Sequence, residues 1–222
     1  MMRKIVLLVV VAIMATMSAQ AQFSDDVKEV LKKCDQKMET YRTSEGVVYD
    51  MNVKMKVSIL TLNGTLKSYA KNKKFFHLMN LNFMSKAIKF EIGFDGEQRW
   101  KYTSGVSENK KDTLVITKTN DAKNDYSVKS DYDKEYKKAK MKEVGRYYEI
   151  TFSGPMKKDV PKKSSIKIDK ESYLLREFSV DEDMGPFTGK ITLTITKITK
   201  GCSDNWFKLD MNRYKNAVVV RR

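Results

Sequence analysis

Histidine and cysteine are scarce in this sequence, which has one histidine, His77, and two cysteines, Cys34 and Cys202, among 222 residues. So few side chains of these types form neither a multi-histidine metal site nor a Cys-x-x-Cys redox motif. A Ser-His-Asp triad would have to use His77, which lies in the apolar run Phe75–Met79, where a structural role is favoured. We therefore expect no metal and no cofactor.

Sequence motifs of catalysis are also absent. The chain contains no Gly-x-Ser-x-Gly elbow, no His-Glu-x-x-His motif, no Walker loop and no glycine fingerprint for dinucleotides. The carboxylates of Asp181–Asp183 precede Gly185 in a predicted turn, where charged side chains are usually solvated. The sequence therefore predicts a protein that is not an enzyme.

Long apolar runs are limited to Ile5–Met14, which is too short to cross a bilayer as a helix of about 20 residues. Arg3–Lys4 precedes this run, and Ala19–Ala21 follows it with the small-x-small pattern that signal peptidase cleaves. We predict that residues 1–21 are a cleaved secretory signal peptide and that residues 22–222 form one soluble periplasmic domain. No cysteine directly follows the run, so we expect no lipid anchor.

Negative charge is in deficit, because 43 Lys and Arg residues against 28 Asp and Glu residues give a formal net charge of +15. Such an excess is typical of proteins that bind an anionic partner, and export excludes nucleic acid. Two interpretations remain open. Lysine solubilises a surface rich in strands, or it binds anionic envelope lipid or acidic proteins. We expect a monomer.

The two cysteines are consistent with either a disulfide bond or two separate thiols. The secretory compartment permits a disulfide between Cys34 and Cys202. The position of Cys34 on the apolar face of a predicted helix instead favours separate packing of both residues as small apolar groups. The sequence leaves this choice open.

An amphipathic helix is predicted from about Asp26 to Arg42. Asp26 and Glu29 have the spacing of a capping box. Apolar residues recur every three or four positions and form one stripe: Val27, Val30, Leu31, Cys34, Met38 and Tyr41. This stripe has to cover an apolar surface elsewhere in the domain.

Apolar residues alternate with polar ones after Gly46, which predicts antiparallel strands with one dry and one wet face. The first strand spans Tyr49–Ile59. Asn63-Gly64 is the strongest hairpin signal that follows it, and Asn72-Lys73 and Asp95-Gly96 mark later turns.

The segment 120–143 has weaker periodicity, and we predict a loop there with a short helix near Lys134–Lys142. About ten strands are expected in all. They predict a mainly β (α+β) fold, with a single curled antiparallel sheet that forms an open half-barrel, covered by the N-terminal helix and the short central helix.

Four segments resemble one known family, the outer-membrane lipoprotein carrier (LolA-like) proteins. Asp26–Met38 is similar to the opening helix of that family, and Phe94–Tyr102 to its strand-turn-strand pattern of Asp-Gly followed by an aromatic residue and Tyr. Ile168–Leu174 resembles a late hairpin, and Trp206–Val219 the closing segment. Helix, strand order and tail together cover nearly the whole chain after residue 21.

This resemblance implies an incomplete antiparallel β-barrel whose mouth is closed by helices. It also implies a soluble chaperone that carries lipoproteins by their acyl chains from an inner-membrane exporter to an outer-membrane acceptor. Where the family has a Lys-Arg-Pro turn after the second strand, this sequence has Ala70–Lys74. Lys71 and Lys73 are therefore the candidates for the basic residue that acts on the lid, although lysine lacks the planar fork of arginine.

Two functions are consistent with these features. In the first, the dry faces of the strands line a site for lipid acyl chains, in which unbranched methionine adapts to varied shapes. The candidate lining residues are Tyr49, Met51, Val53, Met55, Val57, Ile59, Phe90, Ile92, Trp100 and Tyr102. In the second, the half-barrel is filled by its own side chains and serves as a lipoprotein-sensing or protein-interaction module with a basic surface.

Overall fold

The computed structural model describes residues 23–83, 86–104, 111–119, 132–158, 160–184 and 187–222, so the predicted signal peptide lies outside the described residues. The helices are α1 (Asp25–Glu39) and α2 (Tyr132–Glu135), with 3₁₀ helices at Asp204–Phe207 and Met211–Tyr214. The strands are β1 (Val47–Val57), β2 (Leu60–Lys71), β3 (Lys74–Phe83), β4 (Lys86–Phe94), β5 (Gln98–Ser104), β6 (Thr113–Lys118), β7 (Tyr136–Val144), β8 (Tyr147–Pro155), β9 (Lys163–Asp169), β10 (Leu175–Met184), β11 (Phe187–Lys200) and β12 (Val218–Arg221).

One curled sheet contains all twelve strands, in the order β12-β6-β5-β4-β3-β2-β1-β11-β10-β9-β8-β7. Neighbouring strands are antiparallel, except that β12 runs parallel to β6. Among the described residues, the two edge strands, β12 and β7, do not pair with each other, and the sheet is unclosed. The predicted fold class, an open half-barrel with a leading helix and a short central helix, is confirmed.

Helix α1 begins one residue before its predicted start. Ser24 is the N-cap, and its hydroxyl accepts a hydrogen bond from the Val27 amide at 3.4 Å. The helix buries the predicted apolar stripe through Val27, Val30, Cys34 and Met38. Within the described ranges, no helix has the length and apolar character needed to cross a membrane.

The two faces of the sheet carry separate apolar clusters. The inner face, which carries α1, holds the main core. Its buried strand residues include Met51, Val53, Leu66, Leu81, Ile150, Phe152, Ile166, Ile168, Leu175 and Ile195. The outer face holds a mainly aromatic cluster, defined by Val48, Tyr69, Phe76, Trp100, Leu114, Ile116, Phe207 and Tyr214. Strands β1, β2 and β3 therefore contribute side chains to both clusters.

The predicted turn at Asn63-Gly64 is wrong, because the β1–β2 hairpin turns at Ser58-Ile59 instead. Ser58 adopts a left-handed φ of 54°, a conformation that costs non-glycine residues energy but occurs at single turn positions. Gly64 lies inside β2, where a Cβ atom would stand 2.0 Å from the Asn80 carbonyl oxygen. Close approach of β3, rather than a turn, requires this glycine.

The short central helix is present, but its predicted position near Lys134–Lys142 is wrong for all but the first two residues. Only Tyr132–Glu135 is helical, and the chain continues as strand β7. Ala139 and Met141 pack against the main core while the lysines between and beside them are exposed, which is the alternation of a strand. Exposed lysines along an edge strand also disfavour pairing with other chains.

Candidate ligand cavity on the inner face

A cavity of about 240 Å³ lies on the inner face, over strands β2 to β5. Its side-chain lining is mostly apolar with a few polar groups: Leu66, His77, Met79, Phe90, Ile92, Lys101 and Thr103. Glu91 and Tyr102 also border it, although their side chains contact the outer cluster. This combination of apolar walls and a small number of polar groups is typical of ligand sites.

Strand register brings these side chains together from four strands. Leu66 stands opposite Met79, and Met79 opposite Phe90, so the three form one row across β2, β3 and β4. His77 stands opposite Ile92, and Ile92 opposite Lys101, which forms a parallel row one step along the strands. Because side chains two residues apart share a face, both rows face the cavity.

The other half of the inner face is filled. Helix α1 and the residue before its cap cover it, with the Phe23 and Phe152 rings 5.8 Å apart and Lys33 over the Tyr173 ring. Tyr132 stacks on Phe152 at 4.2 Å, and burial raises the pKa of Tyr132. Among the described residues, none from α1 lines the cavity.

The predicted lining residues of β1 are placed along the whole length of the strand. Met51 and Val53 are buried in the main core, while Tyr49 and Met55 are half-buried against it. Burial raises the pKa of Tyr49, an effect that Arg42 partly offsets. Val57 is half-buried and Ile59 is 95% exposed at the hairpin turn. None of these six residues borders the cavity.

The four remaining predicted residues separate onto two faces. Phe90 and Ile92 line the cavity. Trp100 is buried in the outer cluster, and the side chain of Tyr102 packs against that cluster. The structure therefore brings Phe90 and Ile92 together and places Trp100 on the opposite side of the sheet.

The outer cluster is covered by the C-terminal segment, residues 203–217. Trp206 stacks on Tyr69 at 4.4 Å, and Arg213 lies over the Phe76 ring at 5.2 Å. The buried carboxylate of Glu91 accepts a hydrogen bond from the Tyr214 hydroxyl and pairs with Lys89 and Arg213. Burial and this hydrogen bond raise the pKa of Tyr214.

The basic turn after β2 contacts the C-terminal segment. Lys71 Nζ lies 2.9 Å from Asp204 Oδ1, and this hydrogen bond raises the pKa of Lys71 and lowers that of Asp204. Lys73 is exposed in the turn, next to Asn72 with its left-handed φ of 54°. The lid role of Lys71 and Lys73 stays a prediction.

Both cysteines are free thiols in the structure. Cys34 is buried in the main core, where burial raises its pKa to about 12. Cys202 packs against the outer cluster. Of the two alternatives for the cysteines, separate packing is the one that these positions match.

The sequence did not identify six residues that border the cavity: Leu66, His77, Met79, Glu91, Lys101 and Thr103. Strand β3 is apolar on both faces because Phe76 and Leu78 contact the outer cluster, so its alternation does not identify an inner face. Apolar and polar residues alternate clearly in the neighbouring strand β4. Pairing β3 with β4 could therefore have identified Met79 and His77 as inner-face residues, because they stand opposite Phe90 and Ile92.

Solved structures with a similar fold come from several bacteria. An uncharacterized conserved protein of Thermus thermophilus is 11% identical with a TM-score of 0.51, over 89% of this chain and 100% of that one. A LolA superfamily protein of Nitrosomonas europaea is 10% identical with a TM-score of 0.36, over 82% and 97%. A Vibrio parahaemolyticus domain described as outer membrane lipoprotein-sorting is 10% identical with a TM-score of 0.32, over 80% and 95%.

No protein-family model matches the sequence, and no curated protein matches it. At 11% identity, the likeness to the Thermus thermophilus protein is one of fold. A LolA superfamily protein and a lipoprotein-sorting domain, the family that the sequence resembles, are among the structural neighbours.

Proposed function

We propose that this chain is a periplasmic carrier that binds lipid acyl chains on the inner face of its half-barrel and shuttles them toward the outer membrane. The observation that carries the proposal is the apolar cavity over β2 to β5, beside the filled half of the same face. The family resemblance implies lipoproteins as the cargo. Exporter and acceptor proteins of the envelope are the partners that such a route requires.

The energetics of the cavity suit a carrier that must both shield and release its cargo. Each methylene group removed from water contributes about 0.8 kcal/mol, so a few buried carbons hold a chain without trapping it. Met79 and Phe90 are half-buried beside the cavity. The flexible thioether of Met79 can repack around chains of different shape.

Displacement of a fluorescent fatty-acyl probe tests the proposal. The wild-type protein is expected to bind the probe. Met79→Trp, which fills the cavity from its wall, should weaken binding by at least about tenfold, since it removes room for roughly two or more methylene groups. Met211→Trp, at a 38% exposed position outside the cavity, is the matched control and should bind normally. A wild-type protein that binds no probe would contradict the carrier function.

A second function, a protein-interaction module, is supported by the filled half of the inner face. Met51 and Val53, which were expected to line a site, are buried in the packed core. If wild type and Met79→Trp both fail to bind acyl probes but the protein captures an acidic envelope protein at low salt, the module is the better account.

A further inference from the structure

The inner face of β1 to β6 carries only cationic charges among its described residues. Register and alternation place the side chains of Lys86, Arg99 and Lys101 on this face. The acidic residues of the same strands, Asp50 and Glu91, lie on the outer face. Each of those carboxylates pairs with a lysine there, Lys67 with Asp50 and Lys89 with Glu91. Among the described residues of these six strands, the cations Lys86, Arg99 and Lys101 therefore share the inner face, and both carboxylates lie on the other face.

Lys101 is the cation that lines the cavity itself. It stands opposite Ile92 on one side and Val115 on the other, and it is exposed. Within the described part of the chain, no carboxylate lies within ion-pair distance of Lys101, in contrast to Lys67, Lys71 and Lys89. An ammonium group at the edge of an apolar cavity is suited to the charged end of an amphiphile, because the apolar end can enter the cavity while the head stays at its mouth.

The cavity volume limits the apolar end. About 240 Å³ lies below the roughly 300–1,000 Å³ of pockets that take drug-sized ligands. The site therefore accommodates one alkyl chain, or part of one, rather than the several chains of a triacylated lipoprotein.

We propose that the cavity binds a single-chain amphiphile with an anionic head group, with the head held by Lys101 and the chain lying between Leu66, Met79, Phe90 and Ile92. This inference rests on the proposed function and narrows its ligand class. The shared head-group chemistry is that of a carboxylate or a phosphate.

The test compares four probes with the same chain: dodecanoate, dodecyl phosphate, dodecanol and dodecyltrimethylammonium, each titrated into the full-length protein below its micelle concentration. The two anions are expected to bind more tightly than dodecanol, and the cation more weakly. Whichever anion binds more tightly identifies the head group.

Lys101→Met, which keeps the length of the side chain and removes the charge, should weaken binding of both anions by roughly three- to tenfold, as expected for a charge-assisted contact at a partly solvated site. It should leave dodecanol binding unchanged, and Lys101→Arg should retain anion binding. Lys54→Met is the matched control, because Lys54 is an exposed lysine on the outer face of β1; it should change none of the affinities.

The outcomes separate the two proposals. If dodecanol binds as tightly as dodecanoate and Lys101→Met has no effect, the anionic head group is ruled out while the carrier function stands. Tighter binding of dodecyltrimethylammonium than of the two anions would also rule out the anionic head group. If none of the four probes binds, the carrier function itself fails.

Discussion

Asp169, at the end of β9, is a buried carboxylate with four hydrogen-bond donors. Its Oδ1 accepts bonds from the Ser172 amide at 3.0 Å and the Ser172 hydroxyl at 2.8 Å. Its Oδ2 accepts bonds from Nε and Nη2 of Arg146. The hydrogen bond from the Ser172 amide, followed by those from its hydroxyl and from Arg146, holds the pKa of Asp169 well below its ordinary value despite burial. This residue fixes the turn that leads into β10.

We predict that Asp169→Asn lowers the free energy of unfolding by about 1.5–3 kcal/mol at pH 7, because charge-assisted hydrogen bonds to a buried group are lost. The folded-state pKa lies below the unfolded value of about 3.9. The carboxylate therefore stabilises the fold at pH values above the unfolded pKa of about 3.9. This stabilisation is lost as the pH falls from there toward the lowered folded-state pKa. Urea denaturation should show the difference from wild type shrinking below about pH 5.

Glu171→Gln is the matched control for this substitution, because Glu171 is an exposed carboxylate in the same turn. It should change stability by less than about 0.5 kcal/mol at either pH. A wild-type advantage over Asp169→Asn that stays constant down to pH 3 would contradict the assigned role of the charge.

Thiol titration tests whether Cys34 and Cys202 are free thiols or form a disulfide. The unfolded, unreduced protein is expected to show both Cys34 and Cys202 as reactive thiols, because they pack in separate clusters. In the folded protein Cys202 should react first, since Cys34 is buried and its pKa is raised to about 12. The thiolate is the reactive form, so Cys34 should be nearly inert at neutral pH. Absence of any titratable thiol after unfolding would establish the disulfide instead.

At the scale of the element, the β1–β2 hairpin gives a paired prediction. Gly64→Ala should destabilise the protein by about 1–3 kcal/mol, because the new methyl group meets the Asn80 carbonyl oxygen in β3. Ser58→Gly should stabilise it by up to about 1 kcal/mol, because glycine adopts the left-handed φ of this turn without steric cost. Chemical denaturation of both variants measures the difference. The opposite order of stabilities would mean that the hairpin turns at Asn63-Gly64 after all.

Element boundaries were predictable where one face of a strand is wet. The Asp95-Gly96 turn after β4 matches its predicted position. Asp95 Oδ1 stabilises it by accepting hydrogen bonds from the amides of Glu97 and Gln98. Strand β7 was mistaken for a helix because its lysines outnumber the two apolar residues, Ala139 and Met141, that show its period. Its identity depends on packing against β8 and the main core, which no local pattern contains.

The candidate site was less predictable from the sequence than the fold, because the position of the cavity depends on how the helix packs over the whole sheet. The alternation in β1 identifies which residues are buried, and Met51 and Val53 are buried as expected. Whether a buried residue borders empty space depends on where helix α1 lies over the sheet. The helix fills the half near Phe152 and leaves the cavity beside Phe90.

The net charge of +15 gives a prediction for the molecule as a whole. We expect the protein to cosediment with anionic vesicles, since each lysine near such a surface contributes about 1 kcal/mol. The contributing groups include the exposed Lys73 and Lys74 at the β2–β3 turn and Lys137 and Lys138 on β7; Lys71 contributes less because it pairs with Asp204. Binding should fall steeply between low and physiological salt. Equal binding to neutral vesicles would contradict an electrostatic attachment.

The C-terminal segment has a consequence for the biosynthesis of the protein. Ribosomes make a chain from its N-terminus, so the strands that carry Tyr69, Phe76 and Trp100 are complete long before Trp206 and Arg213 exist to cover them. A nascent chain that has reached Gly201 is expected to bind a hydrophobic dye that the finished protein excludes. Before residues 203–217 are synthesised, the nascent chain is therefore most vulnerable to aggregation and proteolysis. Chaperones that bind exposed apolar surface are needed most in that interval.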